Sequence, residues 1–215
     1  MLKRTSPLVL FFETLLLIAL LARLGPEEKS LGSNVRIVYL HGAWVLTAEL
    51  AILAAAISGL VALIAKRTNL HRWSAALGRT GIVFWVTYLP LSLWAMQTNW
   101  NGLFLAEPRF RLALTFAIVG VLLQIGLWLI NLPWLTSLGN MLFAGALFFA
   151  FATIPDVLHP PPSPIFNSGL WNIILFFIAL NLLSWLAAYF LTRWFLQLQR
   201  VNDPARQSIS QSASQ

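Results

Sequence analysis

Six apolar stretches, almost free of charge, constrain this chain of 215 residues more than any other feature. They fall near Pro7–Leu24, Ala43–Ala65, Gly81–Met96, Leu112–Ile130, Ser137–Ile154 and Leu170–Leu191. A helix needs about 20 residues, within a range near 17–25, to cross a hydrocarbon core. The third stretch is the shortest and is read as beginning earlier, around Ala75. Composition points the same way. Hydrophobic residues make up 59% of the chain and charged residues 10%, against roughly 25% charge in a soluble domain. Too little charge remains to clothe a water-facing surface. The pattern predicts an all-α integral membrane protein with six transmembrane helices. The first stretch, behind Lys3 and Arg4, resembles a signal peptide, but Ala22-Arg23-Leu24 is a poor cleavage site and Glu13 interrupts it.

Lys and Arg in the connecting segments set the expected orientation. With the N-terminus inside, the inner segments carry Lys3, Arg4, Lys66, Arg67, Arg72, Arg79, Arg193, Arg200 and Arg206. The outer ones carry Arg23, Lys29, Arg36, Arg109 and Arg111. This bias places both termini in the cytoplasm. The net charge of +7 is spread between apolar runs, so the reading includes a lipid bilayer and no nucleic acid. Residues 1–200 are expected to form one six-helix membrane domain, and 201–215, rich in Ser and Gln, a disordered cytoplasmic tail. Ala51, Ala55 and Gly59 form a stripe of small residues suited to close helix packing. Asn131–Thr136 is read as a tight hairpin between the fourth and fifth helices.

This topology sorts the polar residues. His41, Glu107, Arg109, Asp156 and His159 fall on the outer side, whereas His71 falls in a basic inner loop and is read as solvated. Two imidazoles on one side suit the two axial positions of a haem iron, and a histidine at an interface is as readily an amphipathic anchor. His159 opens a Pro-rich run that stiffens the backbone, either to present a ligand or as a plain cap. Glu49, two turns beyond His41, is a functional candidate because a carboxyl at that depth is costly, or else a protonated acid bonded to a neighbouring helix. Glu13 invites the same two readings. The chain has no cysteine, which excludes disulfides and thiolate metal sites. It also has no phosphate-binding glycine loop and no Ser/His/Asp spacing that would mark an enzyme.

Three segments carry a family resemblance. Arg36-Ile37-Val38-Tyr39-Leu40-His41 followed by Gly42-Ala43-Trp44 resembles the opening of the CcmC-type haem-handling membrane proteins of cytochrome c maturation. That stretch reads Arg-Ile-x-Tyr-Ile-His-Val-Pro-x-Ala-Trp there, so two residues, including the proline, are missing here. Trp100 through Arg109 aligns without a gap with the family's tryptophan-rich loop, Trp-Gly-x-x-Trp-x-Trp-Asp-x-Arg. The first Trp stands as Trp100, the middle aromatic as Phe104, the acid as Glu107 and the base as Arg109, while Ala106 replaces the third Trp. Val157-Leu158-His159 resembles the family's Thr-Leu-His.

The resemblance implies a multi-pass protein of a prokaryotic cytoplasmic membrane that binds haem on its extracytoplasmic side and acts in cytochrome c assembly. It implies haem b, held non-covalently between His41 and His159 as axial ligands. Trp100, Phe104 and Glu107 would be the remains of the platform under the macrocycle, and Arg109, with Arg111, would meet the propionates. The implied partners are a periplasmic haem chaperone and ATP-binding-cassette transporter subunits. The degenerate tryptophan-rich loop leaves open a haem-free scaffold or transporter-associated subunit that kept the fold. A membrane-anchored cytochrome that keeps its haem is a third possibility.

Overall fold

The computed structural model describes residues 5–155 and 164–201. It contains six α-helices: α1 (Pro7–Arg23), α2 (Val35–Ala65), α3 (Thr68–Trp100), α4 (Pro108–Ile130), α5 (Pro133–Thr153) and α6 (Trp171–Val201). A short 3-10 turn, Phe166–Ser168, precedes α6. Among the described residues there is no β-strand, only an isolated bridge between Glu28 and Gly32. Four helices, α2, α4, α5 and α6, are long and apolar enough to cross a membrane. The described residues are thus all-helical, and their long apolar helices are those of a membrane protein.

Local sequence sets the helix ends. Pro at the first helical position opens α1, α4 and α5, where its missing N–H costs nothing and its fixed φ suits the helix. Ser6 caps α1 by accepting from the Leu8 amide. Lys66, Asn101 and Asn131 end α2, α3 and α4 in the left-handed conformation, at φ 51°, 54° and 54°. Asparagine tolerates that region because its short polar side chain bonds locally. The links α2–α3 and α4–α5 are two residues each, so both pairs are antiparallel hairpins.

The helices outrun the apolar stretches from which they were read. α2 begins at Val35 rather than Ala43, and α3 begins at Thr68, taking in His71, Arg72 and Arg79. The expected basic loop shrinks to Lys66 and Arg67. The expected Asn131–Thr136 hairpin shrinks to Asn131 and Leu132, because Pro133 already starts α5. The cause is general: a helix continues through polar residues wherever a neighbour satisfies or covers them. The tail beyond Val201 lies outside the described residues.

α2 and α3 form the centre, with α6 against one side and α5 against the other. α1 packs chiefly on α6, and α4 packs on α3 and α5. Small residues allow the central approach: the Ala51, Ala55 and Gly59 stripe is buried, and a Cβ on Gly81 would lie 2.6 Å from Ile52 Cγ1. Close van der Waals packing matters here because lipid gives no hydrophobic drive between helices. On α6 the buried residues Ile173, Phe177, Leu180, Ser184, Ala187 and Leu191 recur at alternating spacings of four and three. That is the apolar seam of a coiled-coil-like contact. Thr80 and Thr192, both buried, share a 2.9 Å hydrogen bond between α3 and α6.

Candidate functional site

His41 is the seventh residue of α2 and lies half-buried near that helix's start. Two other residues of the same stretch tie the preceding link onto this turn. Arg36 Nε donates to the Gly25 carbonyl at 2.9 Å, and Tyr39 Oη donates to the Pro26 carbonyl at 3.3 Å. The Arg–x–x–Tyr spacing thus puts both donors on one side of the first turns of α2, where they hold the incoming chain.

The His41 ring centroid lies 5.7 Å from that of Tyr88 on α3, with the planes tilted by 54°. Tyr88 meets Trp85 edge-on at 5.0 Å, and Trp85 meets Phe151 of α5 edge-on at 5.6 Å. About a turn further along the same face of α2, Trp44 Nε1 donates to Thr87 Oγ1 at 2.9 Å and its ring lies 4.9 Å from that of Phe84. The imidazole therefore borders an aromatic wall drawn from α2, α3 and α5.

Charged groups lie beneath this wall. Glu49, half-buried two turns further along α2, has Arg109 of α4 as the cation that acts on it. Tyr88 is within electrostatic reach of both Glu49 and Glu107. Glu107 is only 6% exposed. Its carboxylate caps α4 by accepting from the Phe110 amide, while its Oε1 is buried with no hydrogen-bond partner among the described residues. α2, α3 and α4 thus converge on one layer that holds two acids, a base and a phenol. An ionisable residue inside a helix long and apolar enough to cross a membrane, as Glu49 is in α2, is a functional candidate by default.

The remaining predicted residues are less closely grouped. Trp100 ends α3, half-buried against the apolar core, and Phe104 is exposed on the link to α4. Trp85 Nε1 donates to the Ala113 carbonyl at 3.0 Å, so α4 begins beside α3 short of Trp100, and the link runs back along the bundle. Arg111 is exposed. His159 and Asp156 lie outside the described residues. Among the described residues no group of three or more His, Asp or Glu is placed to hold a metal ion.

Compared with models of protein families, with curated proteins and with solved structures, the chain matches none. What the site can do has to follow from its own residues.

Sequence reasoning missed two features. Tyr88 is the hub of the polar layer, signalled only by its spacing of three from Trp85. His71, read as solvated, instead places Nδ1 2.7 Å from Ser137 Oγ at the opposite end of the bundle. Position 71 looked like loop because it sits between basic residues; once α3 is extended back to Thr68, it faces α5.

Proposed function

We propose that the chain is a six-span protein of a prokaryotic cytoplasmic membrane, with both termini cytoplasmic, that holds haem at its extracytoplasmic end for cytochrome c assembly. In this reading α1 and α3 also cross the bilayer. The observation that carries it is the placement of His41: a half-buried imidazole against an aromatic wall, at the end of the bundle where the Trp100–Arg109 link joins α3 to α4.

The donors suit haem in kind. His41 would supply one axial imidazole and His159 the other, and non-covalent haem b would supply an iron that accepts both. Trp100 and Phe104 would offer aromatic surface. Arg111, exposed one turn into α4, is the freer propionate partner, since Arg109 acts on Glu49. The protein is a carrier without turnover of its own. It takes up haem at this mouth and yields it to a partner, a periplasmic haem chaperone, working beside ATP-binding-cassette transporter subunits.

One observation favours a second reading, a haem-free scaffold or transporter-associated subunit. Glu107, assigned by resemblance to the platform, is buried and occupied as the cap of α4. With Ala106 in place of a tryptophan, little of a platform remains.

Absorption spectra of the detergent-purified protein separate the two, with wild type beside His41→Ala and His159→Ala and haem supplied during expression. A Soret band with sharp reduced α and β bands, lost or shifted in either variant, supports the haem reading. A wild type that stays colourless through haem titration overturns it and leaves the scaffold. Reporters after Gln215 and near Ser163 test the orientation: the first should read cytoplasmic, the second external.

A further inference from the structure

We infer that the outward face of α1 seats a transmembrane helix of a partner polypeptide, and that Glu13 receives a basic side chain carried at that helix's mid-span. The inference rests on the six-span topology proposed above and is independent of haem. α1 turns Phe11, Thr14 and Ile18 inward. Its other face exposes Val9, Phe12, Leu16 and Leu20, and Glu13 is exposed among them. The positions three and four residues either side of Glu13 are Val9, Leu10, Leu16 and Leu17, so α1 itself offers the carboxyl no polar neighbour. No described residue hydrogen-bonds or ion-pairs with Glu13.

Depth makes this exposure informative. Gly25, just past α1, packs against Phe176 near the start of α6. Glu13 lies about 18 Å further along the axis at 1.5 Å per residue, level with the middle of α6. A carboxyl facing hydrocarbon there has neither water nor a partner, a costly state that a bound helix relieves. Charge complementarity asks for a cation. A second copy brings none level with Glu13: Arg79 is half-buried, Arg193 lies more than a turn further along α6 and donates to Tyr189 Oη at 2.8 Å, and the other described Lys and Arg lie in links or within about one turn of helix ends.

The test uses the full chain in phosphatidylcholine vesicles, donor-labelled at an introduced Arg23→Cys, since the native sequence has no cysteine to interfere. The probes are two acceptor-labelled Leu/Ala transmembrane peptides, identical except for a central Lys or a central Leu. The Lys peptide should associate at least tenfold more tightly, and Glu13→Leu should erase that difference while Glu13→Asp keeps it. Equal association of both peptides, or no effect of Glu13→Leu, overturns the inference. So does Glu13-dependent association of the protein with itself, which would place a second copy on this face. Alkylation of a Glu13→Cys variant by a membrane-impermeant maleimide would overturn the topology, and the docking with it. That result is distinguishable from a docking failure in which position 13 stays protected.

Discussion

His71 Nδ1 lies 2.7 Å from Ser137 Oγ, and that hydroxyl is wholly buried. The pair begins a chain of polar contacts through the lower half of the bundle. Asn140, one turn along α5 from Ser137, donates to the Ser74 carbonyl at 2.9 Å and to Ser74 Oγ at 3.1 Å. Ser74 Oγ donates to the Ala55 carbonyl at 2.8 Å, and Gln124 Nε2 donates to Asn140 Oδ1 at 2.8 Å. Four helices are joined this way. In lipid, where apolar faces gain little from meeting one another, such bonds and close packing hold helices together.

Asn140→Leu should lower the stability of the purified protein by about 1–3 kcal/mol, because it leaves the Gln124 amide and the Ser74 groups without their partner. Thermal unfolding in a mild detergent measures this. A variant as stable as wild type would mean that the network contributes nothing net.

Gly120→Ala should destabilise by about 1–3 kcal/mol through overpacking. The added Cβ would meet Ile82 Cδ1 at 2.4 Å and Phe143 Cζ at 3.0 Å, where α3, α4 and α5 converge. Gly145→Ala is the matched control, with nothing within 4 Å of its Cβ, and should be neutral or stabilising by up to about 1 kcal/mol. Unfolding midpoints that do not separate the two variants would contradict this packing.

Glu107→Ala should cost about 1 kcal/mol through loss of the α4 cap, while Glu107→Asp should keep most of it. The same thermal assay distinguishes them. If Ala and Asp behave alike, the Phe110 amide does not depend on this carboxylate.

The link before α2 should respond to acid. Glu28 accepts from the Ser30 hydroxyl and from the Ser30 and Leu31 amides. These bonds, the Ser30 hydroxyl foremost, hold its carboxyl below the ordinary value of 4.5. A carboxyl depressed in the folded state adds stability that is present above its unfolded value and is lost as pH falls through the lowered one. Hydrogen exchange at the Ser30 and Leu31 amides should therefore show protection that fades only below about 4.5. Glu28→Gln should remove that pH dependence, and an unchanged profile would sink the assignment.

Hydropathy made the six helices legible because each carries an apolar run of nearly spanning length. Their ends were not legible in the same way. Polar residues such as Arg72 and Arg79 sit inside α3 because other helices cover them, and such cover depends on tertiary contacts. The site divides similarly. His41 could be picked out as a residue type at a helix end, and Glu49 as a carboxyl out of place in an apolar run. Tyr88 could not, since a tyrosine in a span is ordinary until Glu49 and Glu107 are brought beside it. The capping role of Glu107 was partly readable from Pro108, a residue that favours the first position of a helix.

The packing of α1 on α6 has a consequence for how the molecule is made. α1 finds its main neighbour in α6, which is made much later, and the wait between them is on the order of ten seconds at ordinary synthesis rates. Until then α1 has little but the edge of α2 to pack against. Synthesis of α6 is therefore what closes this side of the bundle. A nascent protein arrested before Trp171 would carry α1 without its main packing partner, open to capture by other proteins or to quality-control proteases.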